Sequence, residues 1–156
     1  MRWHLSAVVA ALLVVPAAPA LSDNGLITKP SAHSAAETAD RLEQAITSGG
    51  FMVFGRLDHA DAAKKHGLAM PYSTVVVFGN PKLGTPNFIQ TPPLAIDLPL
   101  KALVWDDKAG RTWLSYNSAA YLYRTIYVRH GQKFDDNAVG RVEGVLAAIA
   151  EEATRK

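Results

Sequence analysis

The chain has 156 residues, with 16 Lys and Arg, 14 Asp and Glu, and no cysteine. A formal net charge of +2 from scattered basic residues gives no electrostatic footprint for nucleic acid, so no nucleic-acid partner is expected. The lack of cysteine excludes disulfides, thiol catalysis, iron–sulfur clusters, thiolate zinc sites and covalent CxxCH haem attachment.

The first 20 residues follow the plan of a secretory signal peptide. Arg2 precedes an apolar run from Leu5 to Val15, and Ala18-Pro19-Ala20 is a small-x-small cleavage site. This run is shorter than the roughly 20 residues that a spanning helix needs, and Pro16 ends it. We therefore predict cleavage at the end of residues 1–20, a periplasmic or secreted protein, and no stable membrane insertion afterwards.

The N-terminal half of the remaining chain alternates strands and helices. Residues 21–33 are predicted to form a polar lead and the short edge strand LITKP, and residues 34–156 a single α+β domain. Ser34 and Glu37 form a capping box for the first helix, which ends at Gly49-Gly50. Asp58 is expected to cap a short helix that ends at Gly67. Between these helices FMVFGRL alternates as a strand, with one face formed by Phe51, Val53 and Leu57 and the other by Met52, Phe54 and Arg56.

The C-terminal half supplies the rest of the sheet. STVVVFG, residues 73–79, is apolar on both faces, which predicts a strand in the middle of a sheet. LKALVWD and RTWLSY flank a four-residue loop, 107–110, that suits a hairpin. Ser118 is predicted to cap a helix ending before Gly131, and apolar residues three or four apart mark a last helix. The fold class is therefore α+β, with a mostly antiparallel sheet of about five strands and helices packed on one face.

The stretch VVVFGNPKLGTP, residues 75–86, contains several helix-start signals. Asn80-Pro81 and Thr85-Pro86 predict two adjacent helix starts, the second carrying residues 88 and 89 onto the sheet. One interpretation is a structural turn. The other is a site where free helix-start N–H groups, aided by Lys82, attract an anion or a carbonyl oxygen. The spacing of the glycines does not fit a P-loop.

Four blocks carry a family resemblance. GGFMVFGRLDHADAAKKHGL, VVVFGNPKLGTP, DLPLKALVWDD and TWLSYN occur in this order, and over about residues 35–150 the chain resembles the domain-of-unknown-function family 302 (DUF302). The resemblance implies a fold like that of the TATA-box-binding-protein superfold, with β-α-β4-α order, and a homodimer. It implies no established activity, and the cofactor is unknown.

A ligand site is expected where two strands end. Asp58-His59 ends one strand and Gly79-Asn80 another, and convergence of these ends would place polar groups over an apolar sheet, beneath the covering helices. The predicted ligand-binding residues are His59, Phe78, Gly79, Asn80, Pro81, Lys82 and Tyr116.

Alternatives to this site remain open. His59 next to Asp58 is also a candidate general base, metal ligand or haem axial ligand, or no more than part of a capping turn. Ser115 lacks a GxSxG elbow, so a hydrolytic triad is not expected. Trp105 and Trp113 are expected to cover the sheet or a dimer contact. The leading hypothesis is a non-enzymatic exported domain that binds a small molecule. The alternatives are a small enzyme or metal/haem protein that uses His59, and a protein-interaction module.

Overall fold

A computed structural model describes residues 24–156. The predicted signal peptide lies outside these residues. Five antiparallel strands form one open sheet in the spatial order β1-β5-β4-β3-β2. The strands are β1 (Leu26–Pro30), β2 (Met52–Asp58), β3 (Ser73–Gly79), β4 (Leu100–Asp106) and β5 (Thr112–Asn117). The prediction of an α+β fold with β1 at an edge and β3 inside the sheet is confirmed.

Two helices cover one face of the sheet. They are α1 (Ala35–Ser48) and α5 (Asp136–Thr154), and the Ser34 side chain caps α1 by accepting from the Glu37 N–H, as predicted. The core between these helices and the sheet consists mainly of aliphatic side chains with less than a tenth of their surface exposed, among them Leu42, Ile46, Val76, Val104, Leu114 and Ile149. We call the opposite side of the sheet the outer face.

The register of β2 corrects the predicted faces of that strand. Val53 pairs with Phe78, but Gly55 and not Phe54 pairs with Val77, so the strand bulges at this point. A bulge adds one residue and reverses the alternation beyond it. Leu57 is therefore on the outer face and 55% exposed, whereas Arg56 is on the helix face. Arg56 there donates to Asp40 and Glu43 of α1.

Shorter helices connect the strands. Helix α2 (His59–Lys65) follows β2, and α3 (Pro81–Gln90) and a 3₁₀ turn (Pro92–Ile96) follow β3. The prediction of two helix starts after β3 is wrong, because α3 is continuous and contains Pro86. Nor does it carry Phe88 and Ile89 into the core, since none of its residues is buried and Ile89 is 77% exposed.

The segment after β5 begins as predicted and then departs from α-helical geometry. The Ser118 side chain accepts from the Tyr121 N–H to start α4 (Ala119–Tyr121), which continues into a π-helical segment (Leu122–Tyr127). π-Helical turns are rare and often found at functional sites. This one borders a cavity at the end of the sheet.

Candidate functional site

His59 and the Gly79-Asn80 turn lie at opposite ends of the β2–β3 pair. Because the strands are antiparallel, Asp58 pairs with Thr74 while Met52 pairs with Gly79. Gly79 lies five residues after Thr74 along the extended strand, which is about 16 Å at the usual rise. The expectation that the two strand ends converge is therefore wrong. The reason is that β2 and β3 are antiparallel neighbours, so that the end of β2 lies beside the start of β3.

His59 occupies an exposed capping turn. Asp58 Oδ1 accepts from the Asp61 N–H at 2.9 Å, which satisfies a free donor at the start of α2. The His59 side chain is exposed and lines neither of the two cavities described below. Within residues 24–156, no cluster of three or more His, Asp or Glu side chains is placed to hold a metal ion.

The Asn80 side chain has a structural role in the turn after β3. Its Oδ1 accepts from the Lys82 N–H at 3.0 Å, and its Nδ2 donates to the Gly50 carbonyl at 3.2 Å. Asn80 thus caps α3 and fastens it to the loop before β2. Pro81 takes the first helical position, where its missing N–H costs nothing. The geometry of this turn thus explains why Asn80 and Pro81 follow the strand.

Gly79 allows close packing at the same point. A Cβ there would lie 3.3 Å from the Phe54 ring, slightly closer than ordinary van der Waals contact, and 3.4 Å from Pro99. A larger residue at this position would require its neighbours on two other segments to shift. Lys82 is exposed at the start of α3.

Phe78 and Tyr116 do come together, at a small cavity beneath the helices. The cavity has a volume of about 30 Å³ and is closed by the Leu98-Pro99 turn, Leu122 and Ile126 of the π-helical segment, and Leu146 of α5. This volume suits one water molecule rather than an organic ligand. The predicted position between strand ends and covering helices thus contains a cavity, but a narrow one.

Tyr116 is a neutral group in this cavity. Its side chain is almost fully buried, and this burial, reinforced by the charge of Glu143, raises the pKa of Tyr116 to about 12. Loss of solvation disfavours the phenolate. The phenol therefore stays protonated at neutral pH and cannot serve as a general base there.

A charged cluster borders the same cavity. His130 Nε2 lies 2.7 Å from Asp97 Oδ2, and Arg129 Nη1 donates to both carboxylate oxygens at 3.2 Å. The hydrogen bond with His130, assisted mainly by the charge of Arg129, holds the pKa of Asp97 below its ordinary value. The sequence carries no signal for this cluster, because 33 positions separate Asp97 from His130 and no motif joins them.

The largest concavity described is a groove on the outer face. Its volume is about 310 Å³. The lining residues come from four strands and are mostly apolar: Leu26, Thr28, Val75, Lys101, Leu103, Trp105, Ser115, Tyr116 and Asn117. Tyr116 is the one predicted site residue among them. The groove was not predicted, because strand periodicity identifies which residues share a face and not which face the helices leave uncovered.

Hydroxyl groups fix the aromatic side of this groove. Trp105 Nε1 donates to Ser115 Oγ at 3.0 Å, and the hydroxyls of Ser115 and Thr28 lie 2.9 Å apart. The Trp105 ring also stacks on Trp113 with centroids 6.2 Å apart. The indole is therefore oriented before any ligand arrives. Both hydrogen bonds of the Ser115 hydroxyl therefore belong to this network.

Among the described residues, one charged side chain lines the groove. Lys101 Nζ donates to the backbone carbonyls of Asp97 and Pro99, at 3.1 Å each. Its ammonium group is thus held by neutral acceptors at one end of an otherwise uncharged surface.

The chain is similar to proteins named as ion channels and to a solved structure. It is 40% identical over 107 residues to "Fluoride-specific ion channel FluC 1" of Brucella suis biovar 1 (strain 1330), covering 69% of this chain and 42% of that protein. It is equally similar to FluC 1 of Brucella abortus biovar 1 (strain 9-941), covering 40% of that protein. The chain thus matches about two-fifths of the length of these relatives. No helix between residues 24 and 156 has the length and hydropathy to cross a membrane.

The fold and the family agree. The crystal structure of an uncharacterized conserved protein DUF302 from Bacillus stearothermophilus matches with a TM-score of 0.67 and 19% identity, over 83% of this chain and 98% of that one. At this identity the match speaks for the fold alone. The family described as "Domain of unknown function DUF302" matches residues 27–150. The chain therefore belongs to the DUF302 family, as the sequence blocks indicated.

Proposed function

We propose that this chain is a non-enzymatic exported domain that binds a small, largely apolar molecule in the groove on the outer face of its sheet. The observation that carries the proposal is the concave apolar surface formed by Val75, Leu103 and Trp105 on the side away from α1 and α5. An antiparallel sheet with helices on one side commonly presents polar residues on the other. This sheet departs from that pattern on its central strands.

The shape and chemistry of the groove favour a small molecule as its occupant. Its volume of about 310 Å³ lies at the lower end of the roughly 300–1,000 Å³ typical of ligand pockets. The lining surface is mostly apolar, and the side chains of Thr28, Ser115, Asn117 and Lys101 supply its few orienting groups. Ligand pockets commonly combine such a floor with a small number of placed polar groups.

A matched pair of variants tests the proposal. Leu57 and Leu103 lie on the outer face in one cross-strand row, but only Leu103 lines the groove. Binding of 2-naphthol, followed by the indole N–H resonance of Trp105 in ¹⁵N spectra, should weaken at least fivefold in Leu103→Gln and remain unchanged in Leu57→Gln. Native mass spectrometry of protein purified from its own cells should also show a bound small molecule. Bare polypeptide together with equal 2-naphthol binding by both variants would refute the proposal.

A second candidate function is that of an accessory domain that docks on a membrane ion channel. It is supported by the 40% identity to proteins named as fluoride-specific ion channels, of which the matched part is about two-fifths. Exposed apolar residues on the edge strand β2, Met52 and Phe54 among them, would suit a protein contact. The test is co-elution of the chain with a purified channel of that type in detergent. Separate elution at micromolar concentrations of both would reject this candidate.

Export and self-association are part of the proposal. Export is supported by the signal-peptide pattern of residues 1–20. The homodimer is supported by the DUF302 resemblance. N-terminal sequencing of the periplasmic fraction tests the first, with residue 21 as the expected start, and light scattering tests the second. A mature protein that retains Met1, or a strictly monomeric mass, would contradict them respectively.

A metal or haem role for His59 has less support. The side chain is exposed at the start of α2 and lies outside both cavities. Absorbance spectra and elemental analysis of protein purified from its own cells test this alternative. A stoichiometric metal or a haem Soret band that disappears in His59→Ala would establish it.

A further inference from the structure

We propose that the groove selects an organic anion with an apolar body, and that Lys101 supplies the charge that recognises its anionic group. This inference rests on the proposed function, since it concerns the same groove. It adds a class of ligand and a specificity-determining residue.

Lys101 is placed to face a ligand in the groove. It pairs with Val77 in the β3–β4 register and therefore belongs to the outer face. Among residues 24–156 the other lining residues carry no charged side chain, so the ammonium is the one charge that these residues place on the groove wall. An apolar wall close to a charge strengthens its attraction for an opposite charge, because less water screens the pair.

The contacts of Lys101 orient its charge without neutralising it. Its Nζ donates to the carbonyl oxygens of Asp97 and Pro99, and both acceptors are uncharged. An ammonium has three donors, so these two bonds leave one for a ligand. Within the described residues, Lys101 has no carboxylate oxygen within 4.0 Å of its Nζ.

The nearby Asp97 carboxylate is committed to other partners. Both of its oxygens accept from Arg129, and Oδ2 also lies 2.7 Å from His130 Nε2. Arg129 offsets the negative charge of Asp97, which Lys101 also attracts, so these three side chains leave one positive charge in excess at this end of the groove. An anionic ligand group would compensate that charge.

The remainder of the groove defines the body of the ligand. Lys101 and Trp105 share one face of β4 and are four residues apart, which is roughly 13 Å along the strand. Leu103 lies between them, and Val75 lies beside Leu103 on β3. An acid with a planar or aliphatic body would therefore place its charged group at Lys101 and its apolar part against Leu103 and the indole.

The test compares two probes of nearly the same shape. The dissociation constants of 2-naphthoate and the neutral 2-naphthol are measured from the Trp105 indole resonance in the wild type and in Lys101→Met, which keeps the apolar stem. Lys108→Met, in the exposed β4–β5 loop, is the control. We expect about fivefold tighter binding of 2-naphthoate to the wild type and to Lys108→Met, no preference in Lys101→Met, and a preference that shrinks with added salt. Lys101→Arg should retain the preference.

The outcomes separate the two proposals. Equal binding of both probes to the wild type, or a full preference in Lys101→Met, overturns the anion inference and leaves a ligand-binding groove. No binding of either probe at millimolar concentration overturns the inference and counts against the proposed function as well. The wild-type comparison does not depend on whether any variant folds.

Discussion

The hydroxyl network beneath the groove can be tested by removing a single oxygen atom. Ser115 is 5% exposed, and its Oγ is the partner of both Trp105 Nε1 and the Thr28 hydroxyl. In Ser115→Ala both hydrogen bonds disappear and the indole N–H loses its acceptor inside the protein. We expect the variant to be less stable and its groove to be less ordered.

The expected size of the effect follows from the two hydrogen bonds that the substitution removes. A hydrogen bond within a protein contributes about 0.5–1.5 kcal/mol net, so two of them correspond to about 1–3 kcal/mol. The half-buried Trp105 can turn its N–H towards water in the open groove, which should bring the decrease in stability into the lower half of this range. Ser73, which pairs with Trp105 and has a partly exposed side chain, provides the control. Ser73→Ala should change the free energy of unfolding by less than about 0.5 kcal/mol.

Urea unfolding followed by circular dichroism measures both changes. Exchange of the Trp105 indole proton with solvent provides an independent readout, because exchange should be faster in Ser115→Ala than in the wild type. A double-mutant cycle with Trp105→Phe should give a coupling of about 1 kcal/mol. If Ser115→Ala is as stable as Ser73→Ala and its indole proton exchanges at the wild-type rate, then the hydroxyl network does not preorganise the groove.

Three further predictions concern the fold that supports the site. Phe78→Ala should lower the free energy of unfolding by about 3–5 kcal/mol in urea titrations, because the ring is 2% exposed; a decrease below about 1 kcal/mol would contradict its place in the core. Hydrogen bonds from the Arg111 backbone N–H and, second in size, from the Trp113 indole hold the pKa of Asp107 well below its ordinary value of 3.8. The ionised carboxylate therefore contributes to the stability of the fold above about pH 3.8, and this contribution is lost as the pH falls towards the lowered pKa. Asp107→Asn should therefore be destabilised at pH 7 but lose less stability than the wild type between pH 5 and pH 2, and parallel pH profiles of melting temperature would refute this. Gly25→Ala should lower the melting temperature more than Gly67→Ala. Both glycines have positive φ, but a Cβ at residue 25 would lie 2.5 Å from the Tyr121 side chain, whereas a Cβ at residue 67 would point into open space. Equal shifts in melting temperature would contradict this packing.

The elements of this protein follow from local signals in its sequence. The capping residues Ser34, Asp58 and Ser118 each accept from a backbone N–H at the start of a helix, as predicted. Each of these caps joins atoms that are no more than four residues apart, so it can form wherever the segment lies in the fold. The hairpin between β4 and β5 was also predicted, although the strand bounds leave five residues, 107–111, in its loop and not the four expected.

Local signals failed where a neighbouring segment decides the outcome. The bulge at Phe54 reversed the faces of β2 beyond it, although nothing in the letters FMVFGRL interrupts the regular strand that was predicted. Thr85-Pro86 looks like a second helix start, yet α3 runs through it. The letters of β2 fit both a regular and a bulged strand, and Thr85-Pro86 fits both a helix start and a helix interior. Contacts with segments distant in sequence decide between the two structures in each case.

The candidate site depended on the tertiary structure more than the elements did. The apolar residues of β3 and β4 are visible in the sequence, and so is their alternation. Helices α1 and α5 cover one of the two faces, and only the assembled fold decides which one. Because they leave the other face open, Leu103 and Trp105 line a groove. The separation of His59 from Gly79 likewise results from antiparallel pairing, which orders strand ends in space independently of their spacing in the chain. Local chemistry acts over a few residues, whereas a binding site joins residues from several strands, and only the packing of those strands brings them together.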